Sequence, residues 1–279
     1  MIHVFILNRN ILKDKLYDCE ANISEICRNN GLMYEICVTA SIEALKSRIR
    51  SYDCYNNVVF YAVGGDGTLN SLINTVDLKK RTLQYLPYGT DNSSYRTLYN
   101  QKFDLKKDIL SDNIITADIG KANDEYFFGM LGLGLDAKID KNMEKFRGVP
   151  LPKALKYYTS VFYTLYNDSK PVNMKLTLGT NSVSKDYSLV RITNGFDEKL
   201  DIVTVDDIKV LKIPKLFKNN KNDNYLKDSN VKEYVFEKIL IEGDIDLLYE
   251  IDGEIKSSSK IEVSVLPKVL KLKGKRYNK

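Results

Sequence analysis

The chain has 279 residues, of which 43% are hydrophobic and 28% are charged, a composition typical of a soluble globular protein with a sizeable core. The 42 basic and 37 acidic residues give a net charge of +5, and this mild balance gives no indication of a nucleic-acid partner. Four cysteines without a C-x-x-C pair and a single histidine, His3, argue against zinc, redox and histidine-triad chemistry.

Neither the cysteines nor the apolar segments predict export or membrane insertion. The cysteine pattern favours reduced thiols in a cytosolic protein. The N-terminal apolar run lacks a signal-peptide pattern, and the run from Tyr126 to Leu135 contains three glycines and is too short to span a bilayer. We therefore expect a cytoplasmic protein.

The first 118 residues alternate between strand-like and helix-like patterns. Strands are predicted at Ile2–Leu7, Tyr34–Val38, Asn57–Val63 and Leu83–Leu86, and helices at about Leu12–Asn30, Ser41–Tyr52 and Thr68–Val76. This alternation predicts an α/β domain with a parallel sheet covered on both faces. Ligands bind such sheets beyond the carboxyl ends of the strands.

A glycine-rich turn, Gly64-Gly65-Asp66-Gly67-Thr68, follows the third predicted strand and precedes a helix. Free amides and the positive end of the helix dipole make this arrangement a phosphate-sized anion site. Asp66 would repel a phosphate unless a cation such as Mg²⁺ bridges them, or unless it receives a hydrogen bond or a proton. Many such turns bind nothing, and the segment is neither GxGxxG nor a P-loop, so turn chemistry alone leaves the ligand open.

After about residue 118 the pattern changes to short strands separated by turns. Strands are predicted at Tyr126–Leu131, Val172–Leu178, Ser188–Thr193, Leu200–Val205, Val235–Ile241, Leu247–Ile251 and Ile261–Leu266. They predict a mostly antiparallel, β-rich second domain. The segment Lys218–Asp228 is polar and is predicted to be a loop.

Two further segments allow more than one interpretation. A helix is predicted at Pro152–Tyr166, and its apolar stripe favours packing against the core over a membrane-lying face; the stripe consists of Ala154, Leu155, Tyr158, Val161, Phe162 and Leu165. Basic residues near the C-terminus favour a solvated tail or edge strand over a surface that attracts phosphates or an anionic membrane; they are Lys268, Lys271, Lys273, Lys275, Arg276 and Lys279.

Three stretches are informative in combination. Residues 58–74 read as a strand, GGDGT, LN and a helix; residues 86–92 read LPYGTDN; and residues 252–254 read DGE. Together with 132–137 (GLGLDA) and Asn194-Gly195, they resemble the diacylglycerol kinase catalytic-domain family, which includes bacterial soluble lipid kinases and sphingosine kinases. NAD kinases and phosphofructokinases use close relatives of GGDGT, and the late DGE favours the lipid kinases. Without the resemblance, Asp252-Gly253 is simply a favoured hairpin turn.

The resemblance implies an NAD kinase-like nucleotide-binding domain at residues 1–118 and a β-rich lipid-binding domain at 119–266. The last strand, about 267–279, would return to the first domain. ATP would bind in the cleft between the domains with Mg²⁺. The implied partners are a lipid substrate and, peripherally, an anionic membrane surface. The sequence leaves a homodimer open.

The resemblance also implies roles for individual residues. The implied cofactor-binding residues are Asn8, Thr39, Gly64, Gly65, Asp66, Gly67, Thr68, Leu69, Asn70 and Thr90. Glu254 corresponds to the family's general base on the lipid hydroxyl, and Asp66 shares the catalytic role by holding Mg²⁺. Asp197 corresponds to a ligand of a structural Mg²⁺ ion.

The chain departs from the family at three places. Asn8 is followed by 9–12 (RNIL) instead of a glycine-containing loop, Ser93 replaces an expected aspartate, and the glycine-rich stretch after Asn194-Gly195 is absent. The primary hypothesis is an ATP-dependent kinase of a diacylglycerol-like lipid. The alternatives are a non-catalytic relative that binds nucleotide or lipid, and an NAD kinase-like enzyme.

Overall fold

The computed structural model describes residues 1–89, 92–99, 102–195, 197–206 and 230–274. The chain divides into two compact units, the first comprising Met1–Ile119 with Pro267–Lys279 and the second Gly120–Leu266. Several residues named above lie outside the described part: Thr90, the side chain of Ala154, the segment 218–228, Lys275, Arg276 and Lys279.

The first unit contains a parallel sheet with helices. Its strands are β1 (Ile2–Asn8), β2 (Met33–Thr39), β3 (Val58–Gly64) and β4 (Thr82–Pro87). Its helices are α1 (Arg9–Leu12), α2 (Leu16–Asn29), α3 (Ile42–Arg50), α4 (Asp66–Ile73), α5 (Ser93–Tyr99) and α6 (Leu105–Leu110). Strand β1 pairs in parallel with both β2 and β3, and β3 pairs in parallel with β4. All seven residues of β3 are buried, as expected for a strand covered on both faces.

The predicted helix at Leu12–Asn30 is interrupted in the structure. Asn8 caps the short α1 by accepting the Asn10 amide, and Lys13 then takes a positive φ of 44°. A 3₁₀ turn, Lys13–Lys15, precedes α2. The periodic pattern does not reveal the break, because it falls at Lys13, where no glycine or proline marks it.

A buried polar cluster joins the first and last strands of the first unit. Lys273 Nζ donates to the Tyr61 hydroxyl (3.1 Å) and to the carbonyl of Ile109 (2.8 Å), and His3 Nδ1 lies 2.7 Å from the same hydroxyl. Burial, with the charges of Lys273 and the N-terminus, lowers the pKa of His3 to about 4. Lys273 is only 4% exposed, so both interpretations of the C-terminal basic residues are wrong for this lysine.

The pKa of His3 predicts how acid destabilises the protein. Unfolded chains bind a proton at His3 near pH 6.5, whereas the folded protein keeps the ring neutral down to about pH 4. Acidification across this interval therefore favours unfolding, by about 3 kcal/mol for this group. In urea unfolding at a series of pH values, His3→Gln is expected to lose correspondingly less stability than the wild type. Identical pH slopes for the two proteins would contradict this assignment.

The second unit is rich in antiparallel strands. Its elements are β6 (Glu125–Phe127), β7 (Met130–Gly134), α7 (Leu135–Met143), α8 (Lys153–Asn167), β8 (Val172–Leu178), β9 (Asn181–Asn194), β10 (Leu200–Asp206), β11 (Val231–Phe236) and β12 (Lys238–Ile251). Strands β5 (Ile114–Ala122) and β13 (Glu254–Lys273) each run from one unit into the other. Neighbouring strands pair antiparallel in the order β11, β10, β9, β7, β12 and β13.

Two predicted strands of the second unit are split. The prediction Tyr126–Leu131 becomes β6 and β7, and the prediction Val235–Ile241 becomes β11 and β12. In the second case the chain changes neighbours at Glu237: β11 pairs with β10, whereas β12 pairs with β7, β8 and β13. The charged pair Glu237-Lys238 marks the point where the chain changes its sheet partner.

The apolar stripe of α8 does not face the core as a whole. Val161 and Leu165 are buried, but Leu155, Tyr158 and Phe162 are 48%, 59% and 65% exposed. The core-facing prediction is therefore wrong for half of the stripe, because only one side of the helix packs onto α7 and the sheet. None of the helices in the described ranges is both long and apolar enough to cross a membrane.

Candidate functional site

The carboxyl ends of the parallel strands bring the predicted nucleotide-binding residues to one edge. Asn8 at the end of β1 is the register partner of Thr39 at the end of β2. Gly64 at the end of β3 pairs with Pro87 at the end of β4. Residues that are 31 positions apart (8 and 39) and 23 positions apart (64 and 87) therefore converge on the edge where open α/β sheets bind ligands.

The glycine turn ends in an open helix N-terminus. Gly65 is the N-cap of α4 in an extended conformation, and its carbonyl accepts the amides of Thr68 and Leu69. In the described part of the chain, the amides of Asp66 and Gly67 have no acceptor. Gly67 is exposed, and apart from its chain neighbours and the helix backbone, no atom of the described residues lies within 4 Å of the position that a Cβ would take. The turn thus presents two amides and the positive end of a helix dipole to an anion.

Asn8 reaches across to this turn. Its Nδ2 donates to Thr68 Oγ1 at 3.1 Å, while its Oδ1 accepts the Asn10 amide. A Cβ on Gly64 would lie 2.3 Å from Thr68 Oγ1, so only glycine fits beside this hydroxyl. Asn8 and Thr68 hence hold the first and third strand ends together.

The remaining two residues of the predicted phosphate motif face the protein. Leu69 is 1% exposed and Asn70 is 5% exposed. The Asn70 side chain accepts a hydrogen bond from Asn74 Nδ2, one helical turn further on. These contacts are structural; they do not test the predicted nucleotide role.

A second glycine packs directly on the turn. The amides of Tyr88 and Gly89 donate to the carbonyl of Gly64, and a Cβ on Gly89 would lie 2.4 Å from the Cα of Gly65. Asn92 Nδ2 donates to the Gly89 carbonyl at 2.9 Å. The LPYG and GGDGT segments are therefore packed backbone against backbone, which explains why each has glycine at this contact.

Asp66 does not stand free beside the anion site. Its Oδ2 accepts from the amide (3.0 Å) and hydroxyl (2.8 Å) of Ser93 and from the amide of Ser94 (3.4 Å), and its Oδ1 accepts from the Tyr85 hydroxyl (2.9 Å). The carboxylate thereby caps α5. This matches the sequence-based alternative in which Asp66 receives hydrogen bonds, and it gives Ser93 a role that the sequence did not indicate.

The same contacts limit how Asp66 can bind Mg²⁺. A magnesium ion needs oxygen ligands with free lone pairs. Three of the four donors fall on Oδ2, which leaves only Oδ1 with capacity for a further partner. Asp66 fits a metal ion through this one oxygen alone.

The DGE segment forms a tight hairpin turn between β12 and β13. Asp252 and Gly253 have positive φ angles of 46° and 85°, and Ile251 pairs with Glu254. Asp252 accepts three consecutive amides, from residues 128 to 130, at 2.8–3.0 Å. These bonds divide β6 from β7, and a Cβ on Gly129 would lie 2.8 Å from Asp252 Oδ1.

Glu254 is an accessible carboxylate in the second unit. Its side chain is 60% exposed, and Oε2 lies 3.8 Å from Lys256 Nζ. Lys256 also pairs with Glu125, so it is shared between two acids. An exposed carboxylate with one loose cationic neighbour is able to accept a proton from a bound hydroxyl.

Glu250, four residues before Glu254, was not singled out by the sequence. It is 2% exposed; Oε2 accepts the Gly253 amide at 3.0 Å, and Oε1 has no hydrogen-bond partner in the described chain. Burial, with the charges of Asp140, Asp136 and Asp252, raises its pKa to about 8. Glu250 therefore carries a proton at neutral pH, a property that no sequence motif signals.

Asp136, the acid of the GLGLDA segment, is bound by an arginine. Arg191 Nε and Nη2 each donate to one oxygen of its carboxylate at 2.8 Å. Such a two-point pair between β9 and α7 fixes both side chains. Asp136 belongs to a segment that supports the family resemblance, but no sequence motif indicates Arg191 as its partner.

Asp197 lies in the exposed turn between β9 and β10. Its Oδ1, the Asp201 Oδ2 and the Lys199 carbonyl lie 2.9, 3.0 and 2.9 Å from the position that a Cβ on Gly195 would take. Burial and the charge of Asp197 raise the pKa of Asp201. This oxygen-rich cradle fits a Mg²⁺ ion in its donor chemistry, although no group of three His, Cys, Asp or Glu side chains suited to a metal occurs among the described residues. Asp201 is the ligand candidate that the sequence missed.

A glycine turn at the carboxyl edge of a parallel sheet, followed by a β-rich unit, is typical of two-unit α/β proteins that bind nucleotides. Residues 3–122 match the family model described as the diacylglycerol kinase catalytic domain. Residues 3–122 of the chain therefore belong to the diacylglycerol kinase catalytic-domain family.

Relatives resemble the chain over most of its length. A Staphylococcus haemolyticus protein named "putative lipid kinase" is 26% identical, with 91% of the chain and 86% of that protein aligned. A Staphylococcus aureus (strain MRSA252) protein of the same description is 25% identical, covering 91% of the chain and 87% of that protein. Two solved structures of a "putative diacylglycerol kinase" from Bacillus anthracis str. Sterne have TM-scores of 0.73 and 0.74 at 18% identity, covering 98% of this chain and 97% of theirs. They show the shared fold.

Proposed function

We propose that the protein is an ATP-dependent lipid kinase that transfers a phosphoryl group to the hydroxyl of a diacylglycerol-like lipid. The proposal includes a cytoplasmic location with peripheral contact to the membrane that holds the substrate. The observation that carries it is the open N-terminus of α4, where the amides of Asp66 and Gly67 have no acceptor in the described chain. In a member of this family, that terminus is the place for nucleotide phosphate.

Each residue has a defined part in this proposal. The α4 amides bind phosphate oxygens, and the contact of Gly65 with Gly89 keeps them in place. Glu254 accepts the proton as the lipid oxygen attacks phosphorus and the bond to the ADP oxygen breaks. Asp66 Oδ1 and the Asp197 cradle are the metal-binding positions. When bound, Mg²⁺ neutralises phosphate charge.

The direct test is phosphate transfer from labelled ATP to diacylglycerol dispersed in detergent micelles with Mg²⁺. NAD is included as a second acceptor. Labelled phosphatidic acid is the expected product. Labelled NADP alone would replace the proposal by the NAD kinase-like alternative, and no product with any acceptor would refute the kinase.

A non-catalytic relative is the second candidate, and one observation favours it. The residues after Asn8, where the family has a glycine-containing loop, form the helical turn α1. The Asn10 amide of this turn is held by the Asn8 side chain, and the turn lacks the glycines that let a loop wrap its amides around phosphate. ATP binding measured by calorimetry, without turnover of the lipid, would establish this candidate.

Gly67→Ala separates nucleotide binding from folding. Apart from its chain neighbours and the backbone of α4, no atom of the described residues lies within 4 Å of the added methyl group, so the thermal midpoint without ligand is expected to stay within about 2 °C of the wild type. The methyl group projects from the exposed turn where phosphate is proposed to lie, so the stabilisation by Mg-ATP is expected to be lost. Thermal unfolding with and without Mg-ATP measures both effects.

Gly148→Ala is the matched control for that experiment. Gly148 is also exposed, and apart from its chain neighbours, nothing in the described part of the chain lies within 4 Å of the position of a Cβ. It is expected to keep both the midpoint and the Mg-ATP shift. A wild-type shift of the thermal midpoint by Mg-ATP in Gly67→Ala would show that phosphate does not bind at the N-terminus of α4.

A further inference from the structure

One side of α8 exposes a row of large apolar side chains. Leu155, Tyr158, Phe162 and Tyr166 are 48%, 59%, 65% and 90% exposed. Their spacing of three, four and four residues places them on a single side of an α-helix. We call these four residues the outer face of α8. A surface helix normally turns polar side chains outward, so a contiguous apolar row of this kind indicates an interaction site.

The opposite side of α8 is firmly attached to the second unit. Ser160 donates to the carbonyl of Ile139 at 2.6 Å, and Asn142 donates to Thr164 Oγ1 at 3.0 Å. Both hydrogen bonds are buried and join α8 to α7. Rotating the helix to hide its outer face would break them and would leave buried polar groups unpaired. The exposure therefore belongs to the folded protein.

The surroundings of the outer face are positively charged. Residues 141–170 contain six basic residues and two acidic ones, a net charge of +4 in a chain whose total is +5. One of the two acids, Asp168, is already paired with Lys138. Helix α8 itself contains no acidic residue. Exposed Lys141, Lys145 and Arg147 precede the helix.

Aromatic side chains combined with this charge select a particular partner. Tyrosine favours the interface between lipid headgroups and acyl chains, where its ring is apolar and its hydroxyl is hydrated. Basic residues add about 1 kcal/mol each at an anionic lipid surface. A protein partner would match the apolar row but would not need the net charge.

We propose that the outer face of α8 docks the protein onto an anionic lipid bilayer. This proposal rests on the proposed function, since an enzyme that acts on a lipid must reach the membrane that holds it. It concerns membrane binding and not catalysis. It assigns membrane contact to α8 instead of to the C-terminal basic residues. Of those, Lys271 donates to the Lys79 carbonyl and Lys273 is buried.

Vesicle co-sedimentation without ATP tests the docking surface. The wild type is expected to bind vesicles of phosphatidylcholine with phosphatidylglycerol, and to bind phosphatidylcholine vesicles much less. The double variant Phe162→Ser with Tyr166→Ser is expected to lose at least about tenfold in affinity for the anionic vesicles, because two apolar anchors are removed. Added salt is expected to weaken wild-type binding.

The control replaces two equally exposed apolar residues elsewhere. Tyr17 and Ile245 are 79% and 74% exposed. Tyr17→Ser with Ile245→Ser is expected to bind vesicles like the wild type, and the thermal midpoints of both double variants are expected to match it. Equal vesicle binding by all three proteins would overturn the proposal. So would a change from dimer to monomer in size-exclusion chromatography that is confined to the α8 variant, since the face would then bind a second copy.

The micelle kinase assay separates this inference from the proposed function. The α8 variant is expected to keep its rate on diacylglycerol in detergent micelles, where no bilayer is needed. Vesicle binding by a chain that phosphorylates nothing would refute the kinase and leave the docking surface intact. Phosphorylation of diacylglycerol in micelles without any vesicle binding would support the kinase and refute the docking surface.

Discussion

Replacing Glu254 by glutamine is expected to lower the rate of phosphate transfer to diacylglycerol by about 10²–10⁴-fold, the usual contribution of a general base. Glutamine has nearly the same shape but cannot accept the hydroxyl proton. The side chain is 60% exposed and, within the described ranges, makes a single long contact, with Lys256, so the fold is expected to be unaffected. The Mg-ATP shift in thermal midpoint should also persist, because the substitution leaves α4 untouched.

Glu262→Gln is the matched control for the base. Glu262 lies on the same strand, β13, is 52% exposed and also pairs with a lysine, Lys238. This variant is expected to retain the wild-type rate. Transfer that continues undiminished in Glu254→Gln would exclude Glu254 as the base while leaving the fold and the phosphate site unaffected.

Glu250→Gln is expected to make the protein markedly more stable in alkaline solution. The folded protein holds a proton on Glu250 up to about pH 8, whereas the unfolded chain releases it near pH 4.5. Stability from this group is therefore complete below about pH 4.5 and is lost as the pH rises toward 8. Between about pH 6 and pH 9 the wild type therefore loses about 3 kcal/mol of its free energy of unfolding, because roughly two pH units separate pH 6 from the pKa of about 8 in the folded protein. Glutamine does not titrate in this range, so Glu250→Gln is expected not to show this loss of stability.

Urea unfolding at about pH 6 and pH 9 measures this effect. The difference between wild type and Glu250→Gln should grow with pH. Glu242→Gln is the control in the same strand, since its carboxylate is half-buried and paired with Lys175. It should follow the pH dependence of the wild type. Parallel curves for Glu250→Gln and the wild type would show that Glu250 is ionised in the folded protein.

The sheet edge with the glycine turn is the most predictable part of the molecule. Strand β3, the turn and α4 are contiguous in the chain, and each follows from residues a few positions apart. A buried apolar run, two glycines and a helix-like segment are enough to place Gly64 and Gly65. Parallel pairing then brings Asn8 and Thr39 to the same edge without further information.

The chemistry of the acidic residues is much less predictable. Asp66 reaches Ser93, 27 positions away, and no local pattern indicates that its carboxylate caps α5. Asp252 holds amides more than 120 positions away. A motif shows that an acid is present, but the donors around it come from the tertiary fold. Those donors decide whether it binds metal, accepts a proton or caps a helix.

The outer face of α8 shows a different limit. The periodicity of the sequence correctly predicted an apolar stripe on α8. Periodicity shows which side of a helix the stripe occupies, but it does not show what packs against that side. Val161 packs inward while Phe162, the next residue, is 65% exposed. When an apolar stripe extends from the buried side of a helix onto its exposed side, the sequence pattern alone predicts a single core-facing surface.

The division of the chain has a practical consequence for making its parts separately. The second unit interrupts the first, whose sheet includes residues from both ends of the polypeptide: Lys271 and Leu272 pair with β4. Truncation after residue 119 would yield a fragment without an internal strand and without the Lys273 ammonium group that binds Tyr61. A stand-alone first unit would instead have to be built by joining its two segments through a short artificial linker, in the manner of removing an inserted domain.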